Sequence, residues 1–350
     1  MKAAVVNKNG QLEVWEVPMP QLGPYDVLCK MCYGATCAGT DIHLMDGLHP
    51  NPIAFPTILG HESVGRVVEV GAKVRNFRVG DLVSRVGAPV GLLTELNASW
   101  GGFAEFGIAR DHWQMRRDGV DATQWNSYRV NQIIHPAIDE KTAPMLITWR
   151  ETLSYANRIG VGPGKTVLLI GSGANALSFA AHCCNLGAQV VAVGSPSREQ
   201  VFRTFPVCAY ISYRSESLLE EVRDAMAQLH VAAFDFLLDG VGGADTANVL
   251  LPLLKQDGCF CNYGWNGRRN YGLNPFNAAH SFRIYADGYD EEESNGQAQA
   301  MVLQGKLFAA PWYDLNKPVP LPKIGQAYDS LRRHEALKYL IDLGGNYEET

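Results

Sequence analysis

The run Thr166-Val167-Leu168-Leu169-Ile170 leads straight into Gly171-Ser172-Gly173-Ala174-Asn175-Ala176, and no other stretch of the 350 residues restricts the fold so strongly. A short apolar run of this kind, Val167 to Ile170 after Thr166, suits a strand buried on both faces, as in the middle of a parallel sheet. The residues after the glycines predict a helix over 174–187, closed by Gly187 as a C-cap. A second apolar run, AQVVAVG, follows at once. Strand, glycine turn, helix and strand in that order build a site for an anion. Gly171 permits the sharp turn, and Gly173 lets the backbone approach a diphosphate. The amides that open the helix at Ala174, Asn175 and Ala176 face that anion, and Ala176 is small enough for close helix–sheet packing.

The pattern continues with FDFLLDG and GCFCNYG as further strands and DTANVLLPLLKQ as helix between them. Alternating strands and helices predict a doubly wound parallel sheet, the Rossmann arrangement, over 154–289. The first 110 residues read differently. Short alternating runs such as DVLCKMCYG and SVGRVVEVG, broken by glycine and proline, predict a β-rich domain. The stretch APMLITWRETLSYANRIG predicts a helix leading into the second domain. The tail, with a helix in IGQAYDSLRR and a strand in ALKYLIDL, is expected to fold back on the first. The predicted division is therefore 1–153 with 290–350, and 154–289. The acidic run Asp290-Glu291-Glu292-Glu293 reads as a solvated helix start.

The end of the second Rossmann strand bears on the choice of dinucleotide. An acid there would accept bonds from the adenosine ribose hydroxyls, as in NAD enzymes. Here the chain reads Val193-Gly194-Ser195-Pro196-Ser197-Arg198, with no acid before Glu199. Gly194, Ser195, Ser197 and Arg198 suit a 2′-phosphate, so the pattern favours NADP(H) over NAD(H).

In the first domain, Gly39-Thr40-Asp41-Ile42-His43, Gly60-His61-Glu62-Ser63-Val64-Gly65, Val79-Gly80-Asp81 and Gly101-Gly102-Phe103-Ala104-Glu105 stand in order. Together they resemble the zinc-dependent medium-chain dehydrogenase/reductase family, and the likeness spans nearly the whole chain. The resemblance implies a GroES-like β-rich catalytic domain joined to a Rossmann domain, with the active site in the cleft between them. It makes Thr40 the hydroxyl that relays the alcohol proton and His43 the exit to solvent. His61 becomes a zinc ligand, and Glu62 a ligand or exchangeable partner. An alkoxide forming near neutral pH needs such a Lewis acid or fixed donors, because an alcohol's own pKa is far too high.

The chain departs from the family at two ligand positions. Ala38 stands where the zinc cysteine normally precedes the relay hydroxyl by two, and Cys37 lies one residue further upstream. Thr148 occupies the place of a later ligand, with Glu151 the nearest carboxylate. Cys37, His61 and Glu62 with a water would complete a tetrahedral site. A metal-free pocket, in which Thr40 protonates the developing oxyanion, stays open beside it. Residues 85–111 contain no cysteine, so no structural zinc is expected. Trp149 and Arg150 fall where the family lines its substrate cleft, and Arg150 reads as an anion contact or, on the plainer view, a surface or interdomain ion-pair partner.

A net charge of -6 gives no reason to expect nucleic acid or an anionic membrane as partner. The N-terminus does not read as a signal peptide, and cytoplasmic residence is the default expectation. Eight cysteines are too few for a disulfide scaffold. The reading is an NADP(H)-dependent alcohol dehydrogenase or ketone/aldehyde reductase on a small molecule, with a polyhydroxylated, sugar- or cyclitol-like substrate in view. By the same resemblance it is a homodimer or homotetramer. A metal-free reductase of an activated C=C or C=O bond and a non-catalytic NADPH-binding redox sensor or scaffold remain as alternatives.

Overall fold

The computed structural model describes residues 1–49, 53–88, 96–98, 100–264 and 270–345. The chain forms two compact units, Met1–Thr148 with Glu291–Thr350, and Trp149–Asp290. Part of the cysteine-free stretch considered for a structural metal, 89–95 and 99, lies outside the described residues.

The first unit is built on antiparallel pairing. Its longest strand, Asp26–Ala35, pairs with Glu62–Val70, Phe106–Arg110 and Leu340–Asp342. A smaller sheet takes Lys2–Val6 between Leu12–Glu16 and Thr57–Ile58. The core between these elements holds Val27, Cys29, Met31, Val67, Val83 and Phe103. It also holds Leu321, Ile324, Tyr328, Leu331 and Ile341 from the C-terminal segment, so the tail completes this unit.

In the second unit six parallel strands lie in the order Ala209–Ser212, Gln189–Gly194, Thr166–Ile170, Phe234–Asp239, Leu254–Asn262 and Arg283–Tyr285. Numbered along the chain this is 3-2-1-4-5-6, the doubly wound order. Thr166–Ile170 is buried throughout, as Val167, Leu168, Leu169 and Ile170 require, and the Thr166 hydroxyl is satisfied by donating to Asp235 Oδ2 at 3.0 Å. The order in which strands are added reverses between Thr166–Ile170 and Phe234–Asp239, which themselves run parallel. The carboxyl ends of those two strands therefore form the switch point at which such sheets bind ligands.

Three expectations need correction. The helix foreseen across DTANVLLPLLKQ ends at Leu250, passes through a turn at Leu251–Leu253 and becomes strand from Leu254. Pro252 lacks the amide that would continue the helix. The acidic run is not simply solvated, because Glu291 is only 5% exposed and accepts from Arg85 Nε at 3.1 Å. Arg150 is completely buried, which overturns the surface position among the readings given for it. Among the described residues no helix is long and apolar enough to cross a membrane.

Candidate active site

Sheet register assembles the site in the first unit. Ala35 stands opposite Glu62 in one pair and opposite Leu340 in another. The residues just beyond Ala35 therefore lie beside those just before Glu62 and Leu340. Thr36 fixes this meeting: its amide donates to the Tyr339 carbonyl at 3.0 Å, and its hydroxyl accepts from the Tyr339 amide at 2.8 Å. Cys37, His61, Glu62 and Lys338 are thus drawn together from three places in the sequence.

Cys37, His61 and Glu62 each turn a donor atom to one point, all within 4.8 Å of one another, and all three are buried. Cys37 caps the helix Ala38–Met45 in an extended conformation, with φ -120 and ψ 101. The extended cap lets the sulfur reach His61 although Thr40 follows three residues later. His61 Nδ1 faces Asp41 Oδ1 at 3.2 Å, and Nε2 lies 3.7 Å from Glu62 Oε1. Asp41 is itself fixed, accepting at Oδ2 from the Tyr328 hydroxyl at 2.6 Å and the Cys37 amide at 2.8 Å. A carboxylate behind one imidazole nitrogen orients the ring and leaves the other nitrogen to bind a metal.

Burial opposes charge on His61, yet the Asp41 carboxylate and Cys37 beside it push its pKa up to about 10. Surroundings that favour a proton so strongly also favour a cation. Glu62 is matched by Lys338, whose ammonium donates to both carboxylate oxygens at 2.6 Å and to the Thr36 carbonyl at 3.1 Å. Burial weakens the charged form of Lys338, and Glu62 more than restores it. Thiolate, imidazole and carboxylate form a donor set that fits zinc, with a fourth position left for water or substrate.

Thr40 and His43 lie one turn apart on the helix that Cys37 caps. The Cys37 thiol is 3.6 Å from the Thr40 hydroxyl, and His43 Nδ1 meets the Gly39 carbonyl. Both side chains are partly exposed, whereas Cys37 and His61 are not. Thr148 is fully buried. Glu151 belongs to the second unit, where it accepts from the Tyr263 hydroxyl at 3.3 Å. On the other side of His61, the Trp100 ring lies 5.2 Å away and Arg85 donates to the His61 carbonyl at 3.0 Å. Sequence reasoning gave no role to Asp41, Arg85, Trp100, Tyr328 or Lys338. Only Asp41, inside the Gly39–His43 motif, carried a local signal.

In the second unit, Gly171 follows the central strand with φ +127, a conformation that side chains strain to adopt. A Cβ there would lie 3.2 Å from both the Ala176 Cβ and the Val241 side chain. Gly173 caps the helix Ala174–Asn185, and a Cβ on it would meet nothing within 4 Å. The space before the first-turn positions Ala174, Asn175 and Ala176 is thus open, on the side where helix amides point outward. Gly194 ends the neighbouring strand, and the Ser195 and Ser197 hydroxyls lie 3.0 Å apart beyond it. Arg198 is half-buried at the end of the next turn. Glu199 is turned to Arg203, which donates to it at 3.1 Å.

A β-rich unit with a buried Cys–His–Glu cluster and a doubly wound unit with a glycine turn at its switch point together have the architecture of the two-domain medium-chain dehydrogenases. Comparison with known proteins agrees. Residues 23–117 match the family model described as the alcohol dehydrogenase GroES-like domain. Alcohol dehydrogenase 1 of Emericella nidulans is 29% identical over 62% of this chain and 63% of that enzyme, just under two thirds of its length. L-threonine 3-dehydrogenase of Edwardsiella ictaluri is 28% identical over 70% of this chain and 72% of its own. Among solved structures, alcohol dehydrogenase TADH from Thermus sp. ATN1 superposes with a TM-score of 0.77 at 21% identity, covering 98% of this chain and 99% of that one. Residues 23–117 are thus an alcohol dehydrogenase GroES-like domain, and the likeness of the whole chain supports the zinc-type medium-chain dehydrogenase/reductase family.

Proposed function

We propose that the protein is an NADP(H)-dependent dehydrogenase that oxidises a secondary alcohol, or reduces the matching ketone or aldehyde, with zinc held by Cys37, His61 and Glu62. The observation that carries this reading is the buried Cys37–His61–Glu62 cluster with Asp41 set behind the imidazole. Bound in these sites, zinc would polarise the substrate oxygen and NADP(H) would accept or supply the hydride.

The chain's own residues do the rest. Asp41 fixes the His61 ring, and Lys338 balances Glu62 so that the site does not hold an unpaired buried carboxylate. The Thr40 hydroxyl, beside Cys37, exchanges a proton with the substrate oxygen, and His43 one turn on passes it towards solvent. Gly171, Gly173 and the amides at Ala174, Asn175 and Ala176 hold the diphosphate. Ser195, Ser197 and Arg198 offer donors to a 2′-phosphate, and no carboxylate at position 194 repels it.

Relatives by sequence or fold are named for L-threonine, 2R,3R-butanediol and galactitol-1-phosphate. Sugar- and cyclitol-like polyols are therefore the first substrates to assay. On family resemblance alone, the reading extends to a cytoplasmic homodimer or homotetramer.

Metal analysis tests the reading. About one zinc per chain is expected, with NADP+-dependent alcohol oxidation lost on chelation, regained with zinc, and absent from a metal-poor Cys37→Ser variant. Zinc below about a tenth of an equivalent, with activity surviving the chelator, would establish a metal-free reductase instead.

A further inference from the structure

Gly194 stands where the doubly wound fold places an acid to grip the ribose hydroxyls, about 20 residues beyond the glycine turn. Its backbone does not demand glycine, because Gly194 is not among the residues with positive φ. Space demands it. A Cβ on Gly194 would lie 2.8 Å from the Ser172 Cβ and 3.0 Å from the Tyr210 Cζ, and closer still to the Tyr210 hydroxyl. Real Cβ atoms do not make contacts this short without a neighbour moving.

Tyr210 is poorly placed to move. It lies on the adjacent parallel strand Ala209–Ser212 and is only 9% exposed, with its ring 5.1 Å from Phe202. Its hydroxyl donates to the Ser195 carbonyl at 2.7 Å, and the Ser195 amide donates to the Ser172 hydroxyl at 3.1 Å. The phenol thus fills the side-chain space of position 194 and ties the strand end to the glycine turn.

We infer that Tyr210 is a specificity-determining residue of the dinucleotide site. By occupying the space beside Gly194 it excludes the acidic side chain that a free ribose 2′-hydroxyl would need, and so reserves the site for a 2′-phosphorylated adenosine dinucleotide. The inference rests on the NADP(H) reading given above.

Dissociation constants for NADPH and NADH, measured by nicotinamide fluorescence on the full chain, test it in four proteins: wild type, Gly194→Asp, Tyr210→Val and the double variant. Wild type and Tyr210→Val are expected to prefer NADPH, since a vacated space supplies no acid. Gly194→Asp alone is expected to bind both cofactors at least about tenfold more weakly, because the acid must displace Tyr210 and with it Ser195. The double variant is expected to gain at least about tenfold in NADH affinity over Gly194→Asp and to prefer NADH. Equal NADH affinity in Gly194→Asp and the double variant would overturn the inference.

A second cycle needs no cofactor and no acid. Gly194→Ala is expected to lower the melting temperature by about 5 °C with Tyr210 present and by clearly less in the Tyr210→Val background, where of these short contacts only that with the Ser172 Cβ remains. Equal losses in both backgrounds would show that Tyr210 does not fill the space. If wild type binds NADH as tightly as NADPH, the NADP(H) reading fails, while this melting cycle still decides the steric claim.

Discussion

Lys338 and Glu62 lie 276 residues apart in sequence and share two hydrogen bonds in a buried pocket. Two buried charges are tolerable because each desolvated group has the other as partner. Removing one partner strands the other. Lys338→Met is therefore expected to destabilise the chelator-treated protein by about 3 kcal/mol, with Lys338→Met/Glu62→Gln recovering most of the loss. Urea denaturation of the wild type and the single and double variants measures this, and purely additive losses would show that the pair is not coupled. Neither residue type announces such a bond, and nothing in the sequence near 338 pointed to the site. Its place depends on the pairing of Ala35 with Leu340 on one side and Glu62 on the other.

At the scale of elements, the turn between Thr166–Ile170 and Ala174–Asn185 contains two glycines with different physical duties. Gly171 has a positive φ and close neighbours, whereas Gly173 borders open space. Gly171→Val is accordingly expected to destabilise the fold, while Gly173→Val leaves the melting temperature within about 2 °C and weakens NADPH binding at least about tenfold. Unchanged NADPH affinity in a folded Gly173→Val protein would remove the basis for the diphosphate site. The helix after this turn also carries a group with a pH signature. Burial lowers the pKa of His182 from 6.5 to about 3. As pH falls below 6.5 the unfolded chain protonates this residue and the folded chain does not, so folding is progressively disfavoured down to about pH 3. Relative to His182→Leu, the wild type is expected to lose about 1.4 kcal/mol per pH unit in that window. Denaturation curves of the two proteins with parallel pH dependence would refute it.

For the whole molecule, the first unit is discontinuous in sequence. Leu321, Ile324, Ala327, Tyr328, Leu331, Ile341 and Leu343 share its core with residues from the first 110, and Tyr328 reaches Asp41 behind His61. Arg85 and Glu291, with side chains only 6% and 5% exposed, add a buried ion pair between the two segments. A chain ending at residue 290 is thus expected to lose protease resistance across 1–148, because apolar core and a charged partner go together. Equal resistance of 1–148 in the truncated and full chains, measured by limited proteolysis, would show that the tail is dispensable.

What the sequence determined by itself is local. An apolar strand, a turn that only glycine adopts without strain, and a helix following it are set by residues within a few positions of one another, and their alternation predicts a doubly wound sheet. The Gly39–His43 and Gly60–Gly65 segments pointed to His61 and Glu62 through their resemblance to a family pattern, which local sequence carries. Tertiary structure alone decided which charges meet. Lys338 with Glu62, Arg85 with Glu291 and the phenol of Tyr210 against Gly194 are products of strand register and packing. The reason is physical: Coulomb attraction and steric exclusion act over ångströms in space, and separation along the chain says nothing of that distance until the sheets have closed.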